Sequence, residues 1–335
     1  MPIEVSHQPI HIQEDIDSVR VDRRRRVVDN LNCSGFFIRL IYKRILMERQ
    51  IMSNLADKGI IEPKELAALL KQAKGPVKVV DATYAAGGRE KWQQRRIDDA
   101  VYFDIDQIAD HDNPMPHMLP YAVDFADAIE ELGISSGDTV VVYDQSGLAM
   151  AASRVWWTFR VFGHDDVCVL NGGLPAWEAE GLPVNTSTPK KPKRGEFNAC
   201  FRPNLVRGMV AVHQATQDGN CVILDARSAG RFRGEMPEPR PGLRAGHIPG
   251  SRNIPFSDVI DPNTGKFKNS KEIENYFHSL DNDKNIITSC GSGVTACVLA
   301  LALHTIGKKD VAVYDGSWAE WGHESSEMPV NIAKK

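Results

Sequence analysis

The chain alternates short apolar runs with longer segments in which apolar residues recur at helical spacing. The apolar runs include KVVDATY at 78–84, VILDARS at 222–228 and NIIT at 285–288. The helical patterns include PYAVDFADAIEELG at 120–133 and AMAASRVWWTFRVFG at 149–163. Buried strands joined by crossover helices predict an α/β fold, with a mostly parallel sheet covered by helices on both faces.

This pattern occurs twice along the chain. Matching positions lie 144 residues apart: Asp81 and Asp225, Gly163 and Gly307, and Trp177 and Trp321. A tandem duplication explains so constant an offset. We predict a leader at 1–59, a first domain at 60–182, a Pro- and Lys-rich linker at 183–203 and a second domain at 204–328. At the same offset Cys290 faces Ser146, so the first domain is expected to lack this thiol.

The leader differs from the rest of the chain. Four arginines, Arg23 to Arg26, precede FFIRLIYKRILM at 36–47, which is too short and too charged to span a bilayer. The acidic residues before position 30 are too many for a good organellar transit peptide. We expect a poorly ordered leader with Met52 as an alternative start. A transit peptide stays open, so the protein is expected in the cytoplasm, in mitochondria or in both.

Charge and cysteine content exclude several classes of protein. A net charge of −4 and a pI near 6.2 argue against a nucleic-acid or anionic-membrane binder. None of the six cysteines forms a C-x2-C pair, and no His/Cys cluster has zinc-ligand spacing. We therefore expect free thiols and no metal, in a monomer or weak homodimer.

The stretch SCGSGVTAC at 289–297 places Cys290 between an apolar run and the helical pattern VLALALHTIG. Ligands of parallel sheets bind beyond the carboxyl ends of the strands. The glycine-rich loop after Cys290 can turn its backbone N–H groups inward to bind an anion, and the next helix adds its positive N-terminus. A thiolate held there is expected to be nucleophilic at neutral pH.

The neighbours of Cys290 narrow its chemistry. A protein phosphatase loop has an arginine six residues after the cysteine, whereas Ala296 stands there and no arginine follows it in the chain. The C-x-x-C pair of a thiol–disulfide oxidoreductase is also absent. A compact cradle around one sulfur, with small neutral neighbours, suits the storage of a second sulfur atom as a persulfide.

Three stretches, AGHIPGSRNIPF at 245–256, CGSGVTA at 290–296 and DGSWAEW at 315–321, together with the duplication, resemble the tandem rhodanese-type sulfurtransferases. The resemblance extends from residue 60 to about 325 and implies two rhodanese-like domains. Gly291 and Ser292 resemble the loop of the 3-mercaptopyruvate sulfurtransferases, since thiosulfate sulfurtransferases usually carry basic residues at these positions.

The same resemblance implies which residues bind the substrate. Arg231 and Arg240 match arginines that hold the carboxylate and carbonyl of mercaptopyruvate. A planar guanidinium suits this role because it grips a carboxylate with two parallel hydrogen bonds. The cysteine loop is expected to contribute four further substrate contacts: Gly291, Gly293, Val294 and Thr295.

A proton relay is also implied by the family pattern. Ser292, two residues after the cysteine, is expected to pass a proton to the leaving enolate. His117 and Asp106 match the histidine and aspartate of the first domain that complete this relay. His247, in AGHIPG, is interpreted as a structural residue that braces the turn after it.

One departure from the family pattern concerns the turn before Asp106. The first domain is expected to carry its own H-I-P-G turn, but the chain has RRIDDAVYFDID at 95–106. Arg96 replaces the histidine, and Asp98 and Asp99 replace the Pro-Gly pair. The local geometry of Asp106 is therefore open.

The predicted reaction is a two-step sulfur transfer without a metal or organic cofactor. Cys290 attacks the sulfur of 3-mercaptopyruvate, pyruvate leaves as its enolate, and the persulfide passes to thioredoxin, a small thiol or cyanide. Two alternatives remain open. One is a preference for thiosulfate, whose two negative charges would favour cations that Gly291 and Ser292 do not supply. The other is a non-catalytic scaffold that binds a partner protein.

Overall fold

The computed structural model describes residues 57–72, 77–84, 86–281 and 283–332. The predicted leader lies almost entirely outside the described residues. Within them, the strands form two five-stranded parallel sheets, one for each half of the chain. This arrangement confirms the predicted α/β class and the duplication.

The first sheet has the strand order β1-β5-β4-β2-β3, and every neighbouring pair is parallel. Its strands are β1 Ile60–Ile61, β2 Val77–Asp81, β3 Val101–Tyr102, β4 Thr139–Tyr143 and β5 Val167–Leu170. Its helices are α1 Pro63–Gln72, α2 Gly88–Gln94, α3 Ala122–Glu131, α4 Met150–Val161 and α5 Gly173–Ala179.

The second sheet repeats this topology with the order β6-β10-β9-β7-β8. Its strands are β6 Val206–Arg207, β7 Cys221–Asp225, β8 Arg252–Asn253, β9 Asn285–Ser289 and β10 Ala312–Tyr314. Its α-helices are α6 Met209–Asp218, α7 Ala229–Phe232, α8 Ser270–Phe277, α9 Ala296–Thr305 and α10 Ser317–Trp321. Short 3₁₀ helices lie at Pro203–Leu205 and Phe256–Val259.

The two domains meet along α4 and α9, which pack against each other. All residues of α9 but the last are buried, as are nearly all residues of α4. Burial on every side explains why α9 is apolar around nearly its whole circumference rather than along one stripe, whereas α4 also buries Ser153, Arg154 and Thr158. Because each helix follows the loop after a central strand, this packing brings the two loops to the domain interface.

The linker lies against the first domain. Between α5 and the first 3₁₀ helix the chain has no helix or strand, apart from an isolated bridge between Asn185 and Arg96. Arg194 pairs with carboxylates of α3, and the backbone N–H of Gly195 donates to Glu130 O at 2.8 Å. The predicted boundaries at 182/183 and 203/204 stay a prediction.

The offset between the repeats changes at the end of the central strands. In the first sheet β4 ends at Tyr143, which pairs with Asp81. In the second sheet β9 ends at Ser289, which pairs with Asp225. The pairing places Tyr143 opposite Ser289, 146 residues apart, although their partners are 144 apart. The second domain thus has two more residues than the first between its paired strands, and the offset returns to 144 at the helix ends because α4 has 12 residues and α9 has 10.

The residue after each central strand is therefore Asp144 in the first domain and Cys290 in the second. Their carbonyls occupy equivalent positions, since they accept hydrogen bonds from the N–H groups of Leu174 and Trp318. The prediction that Ser146 faces Cys290 is wrong by two residues, because the offset measured at the flanking elements does not apply at this loop. The prediction that the first domain lacks the thiol is confirmed.

The departure at Arg96 keeps the bridge and the closing hydrogen bond of the turn, but the left-handed residue is Asp98, with φ of +49°, where the second domain has it at Gly250, with φ of +76°. Arg96 is buried and forms an antiparallel bridge with Asn185, as His247 does with Asn331. Its Nη1 also donates to Ser187 O at 2.7 Å. The turn that follows closes through Ala100 N to Ile97 O, at 3.0 Å, before β3 begins. The chain thus reaches Asp106 along a path like that of the second domain.

Candidate active site

Cys290 lies directly after β9, and only 2% of the residue is exposed. The loop after it bends sharply at Gly293, whose φ of +74° lies in the left-handed region. A Cβ atom on residue 293 would lie 2.6 Å from Asp315 O, so only glycine fits. Because of this bend, α9 begins at Ala296 and its N-terminus faces the loop.

A second segment, which follows β10, holds the cysteine loop in place. The hydroxyl of Ser317 accepts hydrogen bonds from the backbone N–H groups of Cys290 and Gly293, both at 3.1 Å. The N–H groups of Trp318 and Ala319 donate to the carbonyls of residues 290 and 291, at 3.0 and 2.8 Å. The loop is therefore fixed before any substrate binds, as a preorganised site requires.

The first-domain loop demonstrates what this backbone conformation binds. The Oδ1 atom of Asp144 accepts the N–H groups of Ser146 and Gly147, at 3.1 and 3.0 Å, and the Ser146 hydroxyl at 2.6 Å. Burial raises the pKa of Asp144, and these donors oppose that shift. Gly147 and Gly293 share the left-handed bend, with φ of +76° and +74°. A loop of this shape binds a negatively charged group at the position where the second domain has Cys290.

Arg231, on α7, covers the start of the cysteine loop. A Cβ atom on Gly291 would lie 2.9 Å from Arg231 Nη2, so the guanidinium packs directly on the glycine. Glu238 holds Arg231 in this position, accepting from Nη2 at 2.5 Å and from Nε at 3.2 Å. The same buried carboxylate accepts from Arg227 at 2.9 Å. Gly291 therefore leaves room for a cation that comes from another part of the chain.

His117 connects the two domains at the site. Its Nδ1 lies 2.7 Å from Asp106 Oδ1, and its Nε2 lies 3.3 Å from Arg240 Nη2. Arginine only donates hydrogen bonds, so Nε2 must be the unprotonated nitrogen and Nδ1 carries the proton. Burial lowers the pKa of His117, with Arg154 and Arg240 adding to the shift and Asp106 opposing it. The ring is therefore a neutral base at neutral pH.

Tyr84 is a site residue that sequence reasoning missed. Its hydroxyl lies 3.4 Å from His117 Nε2, and the two rings meet edge to face at 5.1 Å. Burial raises the pKa of Tyr84, and the charge of Asp106 adds to that shift. The tyrosine is the last residue of the motif KVVDATY, three positions after the end of β2, and a polar residue just after a strand end was the available signal.

A cavity of about 460 Å³ is lined by residues of both domains; Tyr84, His117 and Arg240 belong to its wall, whereas Cys290, Arg231 and Asp106 do not. The second domain contributes Arg240, Ser292, Val294 and Thr295 to its wall. The first domain contributes Thr83, Tyr84, Lys91, Gln94, Arg95, His117, Asp144, Gln145, Ser146, Met150 and Ala151. A small anionic molecule would meet three cationic side chains here, those of Lys91, Arg95 and Arg240. The one carboxylate in the wall, that of Asp144, is already bound by N–H groups of its own loop.

The predicted site residues thus fall into three groups. His117, Asp106 and Arg240 are in direct contact; Ser292, Val294 and Thr295 line the same cavity; Arg231, Gly291 and Gly293 form and cover the cysteine loop. His247 stands apart from them: its ring stacks on Phe232 at 3.9 Å, and its Nδ1 lies 2.8 Å from Phe232 O. These contacts agree with the structural interpretation of His247.

Other features of the described residues bear on the choice of chemistry. The five cysteines among them are free thiols. No group of three or more His, Cys, Asp or Glu side chains in these ranges could hold a metal ion. No helix in the described part of the chain is long and apolar enough to cross a membrane.

Comparisons with known proteins give consistent matches. A sequence model described as "Rhodanese-like domain" matches residues 62–180 and 210–324. The 3-mercaptopyruvate sulfurtransferase of Escherichia coli (strain K12) is 41% identical over 266 residues, which cover 77% of this chain and 93% of that protein. The thiosulfate/3-mercaptopyruvate sulfurtransferase 1, mitochondrial, of Arabidopsis thaliana is 40% identical over 281 residues, covering 76% of this chain and 73% of that protein.

A solved structure shows the same likeness in three dimensions. The crystal structure of SseA from Escherichia coli, described as a 3-mercaptopyruvate sulfotransferase with the "Rhodanese" fold, superposes with a TM-score of 0.69 at 37% identity. The superposition covers 78% of this chain and 99% of that one.

Proposed function

The chain belongs to the rhodanese family, and from this premise we propose that it is a sulfurtransferase that takes sulfur from 3-mercaptopyruvate through a persulfide on Cys290. One observation carries the assignment of the nucleophile. Cys290 occupies the position at which the first-domain loop binds the carboxylate of Asp144. The matching N–H groups of the second loop belong to Ser292 and Gly293, and Ser317 accepts the one of Gly293. The N–H of Ser292 and the positive N-terminus of α9 are therefore the groups that would stabilise a thiolate or an anionic persulfide.

The first step transfers one sulfur atom to the enzyme. The Cys290 thiolate attacks the sulfur of 3-mercaptopyruvate, so that an S–S bond forms and the substrate's C–S bond breaks. The electron pair of that bond leaves on carbon as the enolate of pyruvate, which then takes up a proton. The covalent intermediate divides a difficult transfer into two easier steps.

The two arginines suit the donor in charge and in placement. Arg240 lies in the cavity wall, and Arg231 covers Gly291 next to the nucleophile. A guanidinium above the loop complements the carboxylate of mercaptopyruvate and the enolate oxygen that develops as the C–S bond breaks. Glu238 keeps Arg231 in one orientation, which reduces the entropy lost on binding.

The neutral ring of His117 supplies the acid–base chemistry. Its Nε2 is free to accept a proton, directly or through the Ser292 hydroxyl, and to return that proton to the enolate carbon. Asp106 stabilises the imidazolium that forms in between, since it faces Nδ1 at 2.7 Å. When the substrate carboxylate binds Arg240, the contact between Arg240 and Nε2 is released and the base is exposed to the reaction.

The second step transfers the outer sulfur atom from Cys290 to an acceptor. An acceptor thiolate attacks the outer sulfur of the persulfide, forming its own S–S bond and returning Cys290 as thiolate. A second thiol then yields a disulfide and sulfide, whereas cyanide yields thiocyanate directly. We propose thioredoxin or a small thiol as the acceptor, because the cavity opens at the domain interface and is wider than the donor alone needs.

Mass spectrometry of the intact protein after brief exposure to 3-mercaptopyruvate tests this proposal. We expect a gain of one sulfur atom and release of one pyruvate, both lost in Cys290→Ser. The matched control is Cys221→Ser, which removes a thiol of the same domain away from the loop. Pyruvate release that survives in Cys290→Ser would contradict the assignment of the nucleophile.

Thiosulfate, used as donor in the same experiment, tests the donor. A gain of sulfur from thiosulfate alone would make the protein a thiosulfate sulfurtransferase. No gain from either donor would favour a non-catalytic binding scaffold. We expect transfer from mercaptopyruvate to be the faster, because the loop itself carries no cation and Arg231 provides a single guanidinium.

The compartment is a separate proposal. We propose that the protein works in the cytoplasm, in mitochondria or in both, and one relative named as mitochondrial is 40% identical to it. Imaging of the full chain with a C-terminal tag, compared with a chain that starts at Met52, tests this. Loss of a mitochondrial signal in the shorter chain would assign a targeting role to the leader.

A further inference from the structure

A buried arginine of the first domain contacts both halves of the candidate site. Arg154 lies on α4, and 3% of its side chain is exposed. Its Nη1 donates to Asp315 Oδ1 at 2.6 Å and to Gly293 O at 3.4 Å. Its Nη2 donates to the carbonyl of His117. One guanidinium thus contacts both the segment that carries the base and the loop that carries Cys290.

The partner of Arg154 extends this connection. The second oxygen of Asp315 accepts the backbone N–H of Leu119 at 2.8 Å. Asp315 also begins the segment whose Ser317 hydroxyl holds the N–H groups of the cysteine loop. The ion pair therefore links residues 117–119 of the first domain to the support of the loop in the second domain.

The backbone of His117 needs such support. Its φ of +62° lies in the left-handed region, which costs a non-glycine residue free energy and persists only when the surroundings hold it. Arg154 binds its carbonyl, and Asp315 binds the N–H two residues later. Relaxation of φ would rotate the imidazole away from Asp106 and Arg240.

We propose that Arg154 is a positioning residue for the sulfur transfer. It holds His117 and the Cys290 loop in fixed positions relative to each other across the domain interface. The inference rests on the proposed function. It assigns the first domain a task beyond that of a scaffold, because α4 supplies the guanidinium that joins the base to the nucleophile. Arg154 acts through His117 and Gly293 and need not touch the substrate.

The charge of Arg154 gives this role a specific signature. The charged and titratable groups that face His117 are Asp106, Arg240, Tyr84 and Arg154. Burial is the largest cause of the lowered pKa of His117, and the positive charge of Arg154 adds to it. Removing that charge moves the pKa of His117 upward. In a plot of kcat/KM against pH, the acidic limb, where the rate falls because His117 becomes protonated, therefore moves to higher pH.

The test uses Arg154→Met, Arg154→Lys and the double variant Arg154→Met with Asp315→Asn. The double variant keeps the protein folded, because it does not leave a buried carboxylate without a partner. Arg160→Met is the matched control. Arg160 lies on the same helix, and 11% of its side chain is exposed; its polar partners are Asp165 and, across the interface, Lys309 O, rather than His117 or the cysteine loop.

We expect the double variant to fold and to lose about 10²-fold in kcat/KM for pyruvate release, as misplacement of a reacting group by about 1 Å does. Its acidic limb moves to higher pH. Arg154→Lys retains the charge and therefore the position of the limb, with part of the rate. Arg160→Met lowers thermal stability and leaves both kcat/KM and the limb unchanged.

A folded double variant with the wild-type rate and pH profile would overturn the inference. So would equal losses in the double variant and Arg160→Met with unmoved limbs, since that result describes a merely structural residue. Failure of the proposed function is distinguishable, because it shows in the wild type as the absence of a persulfide. In that case the pKa of His117, followed by NMR of its ring protons, still reports whether Arg154 acts on it.

Discussion

In the first domain the loop after β4 encloses the carboxylate of Asp144, whereas in the second domain the loop after β9 carries the side chain of Cys290 at the same place. Both loops bend at a left-handed glycine and lead into a buried helix. They differ in what supports them. Ser317 binds two N–H groups of the second loop from outside, while Gly173 stands at its counterpart in the first domain.

This difference separates the two loops chemically, although their backbones follow the same fold. The first loop satisfies the N–H groups of Ser146 and Gly147 with the carboxylate of Asp144, which belongs to the same loop. The second loop uses an external hydroxyl for two of its N–H groups, and so keeps the space around Cys290 for a sulfur that changes its charge and its bonds. The first domain retains a role because it provides His117 and Tyr84 to the shared cavity.

The largest effect is expected when the cysteine is moved to the first loop. Asp144→Cys combined with Cys290→Ser places a thiol at the equivalent position of the first domain. We expect pyruvate release to fall by about 10³-fold or more and not to recover, because Arg231 covers only the second loop. Pyruvate release and the mass of the alkylated protein are the measurements. Recovery of turnover would mean that the loop alone suffices.

A second comparison concerns the aspartates that end β2 and β7. Asp225 is buried against Arg227, whose Nη2 lies 2.7 Å from its Oδ2. Asp81 has only neutral partners, the Thr83 hydroxyl and the Gln145 amide, and burial raises its pKa. Asp225→Asn removes one of the two carboxylates that pair with the buried guanidinium of Arg227, while Glu238 remains, and is expected to lower the free energy of unfolding by about 3 kcal/mol.

Asp81→Asn is the matched control for that variant. The pKa of Asp81 is raised in the folded state, so the folded protein binds more protons than the unfolded chain as pH falls. The ionised form therefore costs stability at neutral pH, and Asp81→Asn is expected to be neutral or stabilising there. Urea denaturation at pH 7 measures both variants. Equal losses in the two would refute the distinction between the domains.

Much of this architecture was predictable from local pattern. The alternation of apolar runs and helical segments predicted the parallel sheets, and the glycine-rich loop after NIIT predicted the place of Cys290. Both follow from backbone physics that acts over a few residues. The comparisons confirm the family, whereas the roles of Ser292, His117 and Asp106 stay predictions.

The features of the site that the sequence did not predict depend on contacts between residues far apart in the chain. The exchange of Asp144 for Cys290 was hidden because two extra residues before β9 are offset by the two extra residues of α4, so the repeat offset is 144 on both sides of the loop. Glu238 and Arg154 act through partners on other elements, which periodicity does not reveal. A signal for Arg154 was nonetheless present: a charged residue inside the run RVWW on a helix that is apolar on every side indicates a buried ion pair.

A smaller effect is expected from a single methyl group on the cysteine loop. Gly291→Ala places a Cβ atom 2.9 Å from Arg231 Nη2, so the guanidinium must shift away from the loop. We expect kcat/KM for mercaptopyruvate to fall about tenfold, which corresponds to about 1.4 kcal/mol of transition-state stabilisation. Gly208→Ala, where an added Cβ meets no atom within 4 Å, is the control in the same domain. An unchanged rate in Gly291→Ala would separate Arg231 from catalysis.

The smallest effect concerns the pH dependence that Asp106 gives to His117. The base is active when neutral, so kcat/KM falls as pH drops through the lowered pKa of His117. The carboxylate of Asp106 favours the protonated ring and thus opposes that lowering.

Asp106→Asn therefore lowers the pKa of His117 further and moves the acidic limb to lower pH, in the direction opposite to the shift expected when Arg154 is replaced by Met. Because 54% of the Asp106 side chain is exposed, solvent screens its charge and the shift stays below about one pH unit. Profiles of kcat/KM between about pH 4.5 and 8 measure it, with Asp112→Asn, which removes an exposed carboxylate of the same segment, as the control. A limb that moves to higher pH would contradict the assigned tautomer, since it would mean that Asp106 stabilises the neutral ring.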